Sequence, residues 1–140
     1  MIRKRYKILI ILAIMGIVCM NGCQTTVSSE ENKVVENGYM KISAEEAKEI
    51  MDGTKEFVLV DVREVDEYDE GHIQGALLIP YDEIEERAKM ELADKEQLIL
   101  VYCRSGRRSA IAAQSLVDLG YTNVKDFGGI MDWPYEIDTE

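Results

Sequence analysis

Seven consecutive residues, Cys103-Arg104-Ser105-Gly106-Arg107-Arg108-Ser109, bring together a thiol, three guanidinium groups and two hydroxyls. A thiolate is a strong nucleophile and guanidinium groups bind anions, so this run suits attack by sulfur on an anionic or electrophilic substrate. The apolar run 98–102 leads into it, and behind it Ile111, Ala112, Ser115, Leu116 and Leu119 recur at helical spacing. The cysteine therefore stands where a buried strand ends and a helix begins. A tight loop there points successive backbone N–H groups at one spot, and the helix N-terminus adds partial positive charge. Gly106 can take the positive φ that such a loop needs. An isolated cysteine at a strand end is commonly inert core. Arg104, Arg107 and Arg108 supply the electropositive setting that reactive cysteines require, and that favours chemistry over packing.

The other cysteines lie near the N-terminus. Arg3, Lys4, Arg5 and Lys7 form a basic cluster, followed by an apolar run over residues 8–20. Thirteen apolar residues are short for a membrane span and right for the hydrophobic region of a signal peptide. Gly22-Cys23 follows, then polar Gln24-Thr25-Thr26. This arrangement resembles the lipobox of bacterial lipoproteins, which implies cleavage after residue 22 and lipid attachment at Cys23. The alternative is an uncleaved signal anchor; both place the remainder outside the cytoplasm. Cys19 falls within the apolar run, so Cys103 is the one free thiol of the processed chain and no internal disulfide forms. No Cys-x-x-Cys or Cys/His cluster suggests a metal. The net charge is −11, with four of the sixteen Lys and Arg in residues 1–22. So acidic a body lacks the basic footprint that nucleic acid binding needs.

The elements that must position the loop follow in chain order. Residues 23–38 are polar and charged without periodicity and read as a flexible tether; a domain over 39–140 follows. Residues 39–42 are a short extended piece. Ser43 and Glu46 form a capping box for a helix with Ala44, Ala47, Ile50 and Met51 on one face, ended by Gly53. Residues 57–62 read as a strand buried on both faces, as in a parallel sheet. Arg63, Glu64, Glu67 and Tyr68 read as a polar turn, residues 71–75 as a loop, and 76–80 as a strand stopped by Pro80. Asp82 caps a helix carrying Ile84, Ala88 and Leu92. After the 98–102 strand and the loop, a helix runs to about Leu119. A strand over 124–127, a turn at Gly128-Gly129 and a brief helix over 130–133 complete the chain. This alternation predicts a small α/β domain with a mostly parallel sheet and helices on both faces. Phe127 and Trp133 read as core.

Residues 39–135 resemble a single-domain rhodanese, a sulfurtransferase. The resemblance rests on three blocks. Asp61-Val62-Arg63-Glu64, Glu67-Tyr68, Gly71-His72-Ile73, Gly75-Ala76 and Ile79-Pro80 match the family's N-terminal signature. Cys103 to Ser109 match its active loop, and Gly128-Gly129 with Trp133 match its C-terminal signature. The resemblance implies a two-step exchange. Cys103 takes sulfane sulfur from thiosulfate or a persulfide, and a thiol, free or protein-borne, or cyanide removes it. Residues 104–109 bind the substrate, Asp61 and Arg63 tie loops together near the site, and no cofactor is needed. His72, the only histidine, is read as structural, since a general base must reach the reacting proton. Two rivals remain. A small cysteine phosphatase needs five residues between cysteine and arginine, and only four separate Cys103 from Arg108. A non-catalytic or redox-sensing module that binds a partner is the other; such modules often lack the cysteine.

Overall fold

The computed structural model describes residues 35–54 and 56–139. Residues 1–34, including the apolar run and Cys23, lie outside the described residues. The elements are β1 (Val35–Glu36), β2 (Tyr39–Lys41), α1 (Ala44–Gly53), β3 (Phe57–Asp61), α2 (Val65–Glu70), β4 (Leu77–Leu78), α3 (Ile84–Glu91), β5 (Leu98–Cys103), α4 (Arg107–Asp118) and β6 (Val124–Gly129). A 3₁₀ turn, Ile130–Asp132, follows β6.

The sheet order is β1-β2-β6-β5-β3-β4. Every neighbouring pair is parallel except β1 with β2 at one edge. Because strand side chains alternate between faces, each central strand feeds two cores. Val60, Val62, Ile99, Val101, Cys103 and Val124 pack with Ile84 and Ala88 of α3 and with Ala112, Ala113 and Leu116 of α4. Leu59, Leu100, Tyr102 and Phe127 face the other way, against Ala44 and Ala47 of α1 and Trp133. β5, inside the sheet and buried over its last five residues, is the most enclosed strand. It ends in Cys103.

The structure departs from the sequence reading at five places. The tether's last residues are not free: Val35–Glu36 pair with Tyr39 and Met40 through a turn with Asn37 at φ 49° and Gly38 at φ 101°. Asn-Gly is a strong hairpin signal, and here it adds an edge strand. The Arg63–Tyr68 turn is a helix, α2. It is nucleated where Glu67 Oε2 accepts from the Glu64 N–H at 3.2 Å. It shows no apolar stripe because only half-buried Tyr68 packs inward. Strand 76–80 shrinks to Leu77–Leu78, since β4 is an edge strand and Pro80 has no N–H to give. Asp82 does not cap α3. The Glu83 N–H bonds the Pro80 carbonyl at 2.9 Å, and this turn makes Glu83 the cap. Gly128-Gly129 is not a turn but the end of β6, where Gly129 pairs with Cys103 past a register shift after Val101.

Candidate active site

Cys103 stands at the carboxyl end of β5 with 1 % of its surface exposed. The chain then turns sharply at Gly106, whose left-handed backbone (φ 95°, ψ −13°) disfavours any other residue type. That turn aims the Gly106 N–H at Cys103 Sγ, 3.1 Å away. It also starts α4, whose first helical bond runs from Ala110 N–H to the Gly106 carbonyl at 3.3 Å. The N–H groups of Arg107, Arg108 and Ser109 precede that bond and have no partner within the helix. Buried Ser109, on the inner face of α4, lies 3.7 Å from Cys103 Sγ. Its hydroxyl donates to the Gly106 carbonyl (3.1 Å) or the Gly128 carbonyl (3.2 Å). The loop is thus pinned from inside by Ser109. From the 3₁₀ turn after β6 it is pinned by the Met131 N–H, which bonds the Arg104 carbonyl at 3.2 Å.

The three arginines divide into two kinds. Arg104 and Arg107 are exposed, with no ion pair among the described residues. Arg108 is clamped by α2. Its Nη1 and Nη2 reach Glu67 Oε2 and Oε1 at 2.6 and 2.8 Å, and Glu64 lies 3.8 Å away. Such a bidentate, partly buried pair is among the stronger ionic contacts. The Arg108 hydrogen bonds hold the Glu67 carboxyl down at about 2, and the same bonds raise Arg108. Glu67 was legible only as a signature residue; Arg108, 41 positions away, gives no local sign of it.

Asp61 and Arg63 do not join this group. Asp61 is fully buried on the opposite face of β3 from Val60 and Val62. Arg63 Nη2 bonds Asp61 Oδ2 at 2.6 Å and the Gly71 carbonyl at 2.8 Å, fastening the end of β3 to the loop after α2. Tyr102 belongs to the same network: its hydroxyl accepts from the Ile73 N–H at 3.1 Å. Burial, and then the Asp61 carboxylate, push the Tyr102 phenol up. His72 stacks on Tyr68 with ring centroids 3.7 Å apart, its Nδ1 lies 3.0 Å from the Tyr68 carbonyl, and its backbone pairs with Asp138. Gly129 is a further loop residue that the sequence reading missed. A Cβ there would stand 2.6 Å from the Ser105 Cα.

The arrangement can hold a sulfur anion: the Gly106 N–H points at Sγ, the N-terminus of α4 follows directly, and the same loop carries Arg104 and Arg107, both exposed and without an ion pair among the described residues. The sequence pattern of the rhodanese-like domain matches residues 43–135. The chain is similar to thiosulfate sulfurtransferase PspE of Escherichia coli, with 41 % identity over 73 residues, 52 % of this chain and 70 % of that protein. It is similar to thiosulfate sulfurtransferase GlpE of Coxiella burnetii, with 40 % identity over 68 % of this chain and 87 % of that protein. Among solved structures it resembles a rhodanese with anions from E. coli, at 36 % identity and a TM-score of 0.57, covering 60 % of this chain and 99 % of that one.

Proposed function

The chain belongs to the rhodanese-like family, and from that premise we propose that it transfers sulfane sulfur through a persulfide on Cys103. The observation that carries this reading is the Gly106 N–H directed at Cys103 Sγ at 3.1 Å on a loop that starts a helix. In the first half-reaction the Cys103 thiolate attacks the terminal sulfur of thiosulfate. The new S–S bond forms as the donor's S–S bond breaks, and sulfite leaves with the electron pair. An organic persulfide reacts likewise, with its thiol as leaving group. In the second half-reaction a thiolate or cyanide attacks the outer sulfur of the Cys103 persulfide. It departs as a persulfide or thiocyanate and restores the Cys103 thiolate. Because Cys103 is 1 % exposed, the reaction favours donors whose sulfane sulfur is terminal and slim, as in both of these.

The Gly106 N–H acts on the sulfur anion, and the Ser109 hydroxyl, whose proton goes to the Gly106 or Gly128 carbonyl, fixes the loop around it. Arg104 and Arg107 meet the charge of the donor. Asp61 and Arg63 support the fold around the site and do not touch sulfur. No step requires a metal or organic cofactor. The acceptor is a thiol, small or protein-borne. We further propose that the domain works outside the cytoplasm, held to the membrane by lipid on Cys23. Support for this comes from the basic cluster, short apolar run and Gly22-Cys23 pair.

The test is intact-mass analysis of the purified domain after incubation with thiosulfate. Wild type should gain one sulfur atom and lose it on addition of cyanide. Cys103→Ser should stay folded and gain none, since a hydroxyl there is far less ionised than a thiol. Sulfur transfer by folded Cys103→Ser would overturn the reading.

A further inference from the structure

We infer that Glu67 is a specificity-determining residue that occupies Arg108 and turns the loop toward organic persulfide donors of low charge, away from dianionic thiosulfate. The inference rests on the sulfurtransferase reading above and names its donor class. Three arginines in five residues suggest a strongly cationic mouth. The structure leaves only two of them unpaired among the described residues, because Glu67 meets both terminal nitrogens of Arg108 at 2.6 and 2.8 Å. Glu64, at 3.8 Å, adds a second negative charge beside the same guanidinium. Around the Arg108 guanidinium the local charge is therefore net negative, one cation against two carboxylates.

The segments touching the loop also present apolar surface. Val65, between those carboxylates in sequence, is 58 % exposed. Met131, whose N–H holds the Arg104 carbonyl, is 68 % exposed. Inorganic thiosulfate makes no use of apolar surface, whereas the carbon skeleton of an organic persulfide does. Glu67 does not touch the reacting sulfur; it acts through Arg108. The chemistry itself is unchanged: Cys103 thiolate takes the outer sulfur, and the donor leaves as its thiol.

The experiment measures kcat/KM for thiosulfate and for 2-hydroxyethyl persulfide with wild type, Glu67→Gln and Glu67→Gln/Arg108→Met, across a range of salt. Releasing Arg108 adds one positive charge at the mouth, and a dianion feels it twice as strongly as a monoanion. Glu67→Gln should raise kcat/KM for thiosulfate by roughly 3- to 10-fold and for the persulfide by clearly less. The thiosulfate rate should also fall more steeply with salt, and adding Arg108→Met should abolish the gain. Equal loss with both donors would make Glu67 merely structural and overturn the inference. So would an unchanged donor ratio, or a gain that survives Arg108→Met. If neither donor adds sulfur to wild-type Cys103, it is the sulfurtransferase reading that fails.

Discussion

Gly129→Ala probes how the active loop is held in place. Gly129 pairs with Cys103 across the β5–β6 ladder. An alanine methyl there would lie 2.6 Å from the Ser105 Cα and 2.7 Å from the Arg104 carbonyl carbon, and it also meets the Arg104 oxygen. Carbon pairs settle at roughly 3.5–4.0 Å, so the loop must retreat by roughly 1 Å. All three obstacles are main chain, and no rotamer change relieves them. The same Arg104 carbonyl accepts from the Met131 N–H, and retreat weakens that bond. Overpacking of this kind costs about 1–3 kcal/mol and the weakened hydrogen bond about 1 more, so stability should fall by about 2–4 kcal/mol. Displacing aligned groups by 1 Å can slow a reaction by about a hundredfold, and persulfide loading should drop on that scale. Gly128→Ala is the control. Its φ is +87° with open space around the site, so it pays backbone strain of about 1–2 kcal/mol without pushing on the loop. Urea unfolding reports the stability of each variant, and time-resolved intact mass reports loading at limiting thiosulfate. Loading by Gly129→Ala at close to the wild-type rate would refute the argument that this close approach sets the loop.

Three further outcomes are expected. The Glu67 carboxyl sits at about 2 in the folded protein against an ordinary 4.5, so its contribution is complete above 4.5 and is lost as pH falls through about 2. With both side chains about one-fifth exposed, screening brings that contribution to about 1–2 kcal/mol. The stability gap between wild type and Glu67→Gln should therefore be flat at neutral pH and close below pH 4.5; a gap that persists at pH 2 contradicts the pairing. Tyr102→Phe strands the Ile73 N–H in the core and should cost about 1–3 kcal/mol in urea unfolding. Its loading rate should stay near wild type, because the ring lies on the face opposite Cys103; a slow but fully stable variant would disprove this. Cys23→Ala should alter processing and release the domain from the membrane fraction, and a wild-type protein found in the cytosol with its N-terminus intact would refute the anchor.

Features carried by neighbouring residues were legible from sequence. Residues 103–109 are contiguous, so the strand end, the left-handed Gly106 and the start of α4 could be placed by periodicity and turn chemistry. Strand 57–62 and helix α1 with its Ser43–Glu46 capping box follow from equally local rules, since the box bonds close over three residues at 3.0 and 3.2 Å. The parallel sheet followed from apolar runs alternating with helical spacing, because strands buried on both faces need a helix on each side. The missed α2 marks the limit of that method: held by polar contacts at its start, it has almost no apolar stripe to read.

What tertiary structure decided was how distant parts meet. Three arginines look equivalent along the chain, yet folding brings Glu67 to Arg108 and leaves Arg104 and Arg107 unpaired among the described residues. Composition records that charges exist, while electrostatics depends on separations of a few ångströms that only the fold sets. Asp61 pairs with Tyr102 of the loop's strand, but the two-residue alternation of a strand sends its side chain, and Arg63 bonded to it, to the far face. Gly129 reads as a turn residue, and only the β5–β6 register shift shows that its missing side chain makes room for the loop carrying Cys103.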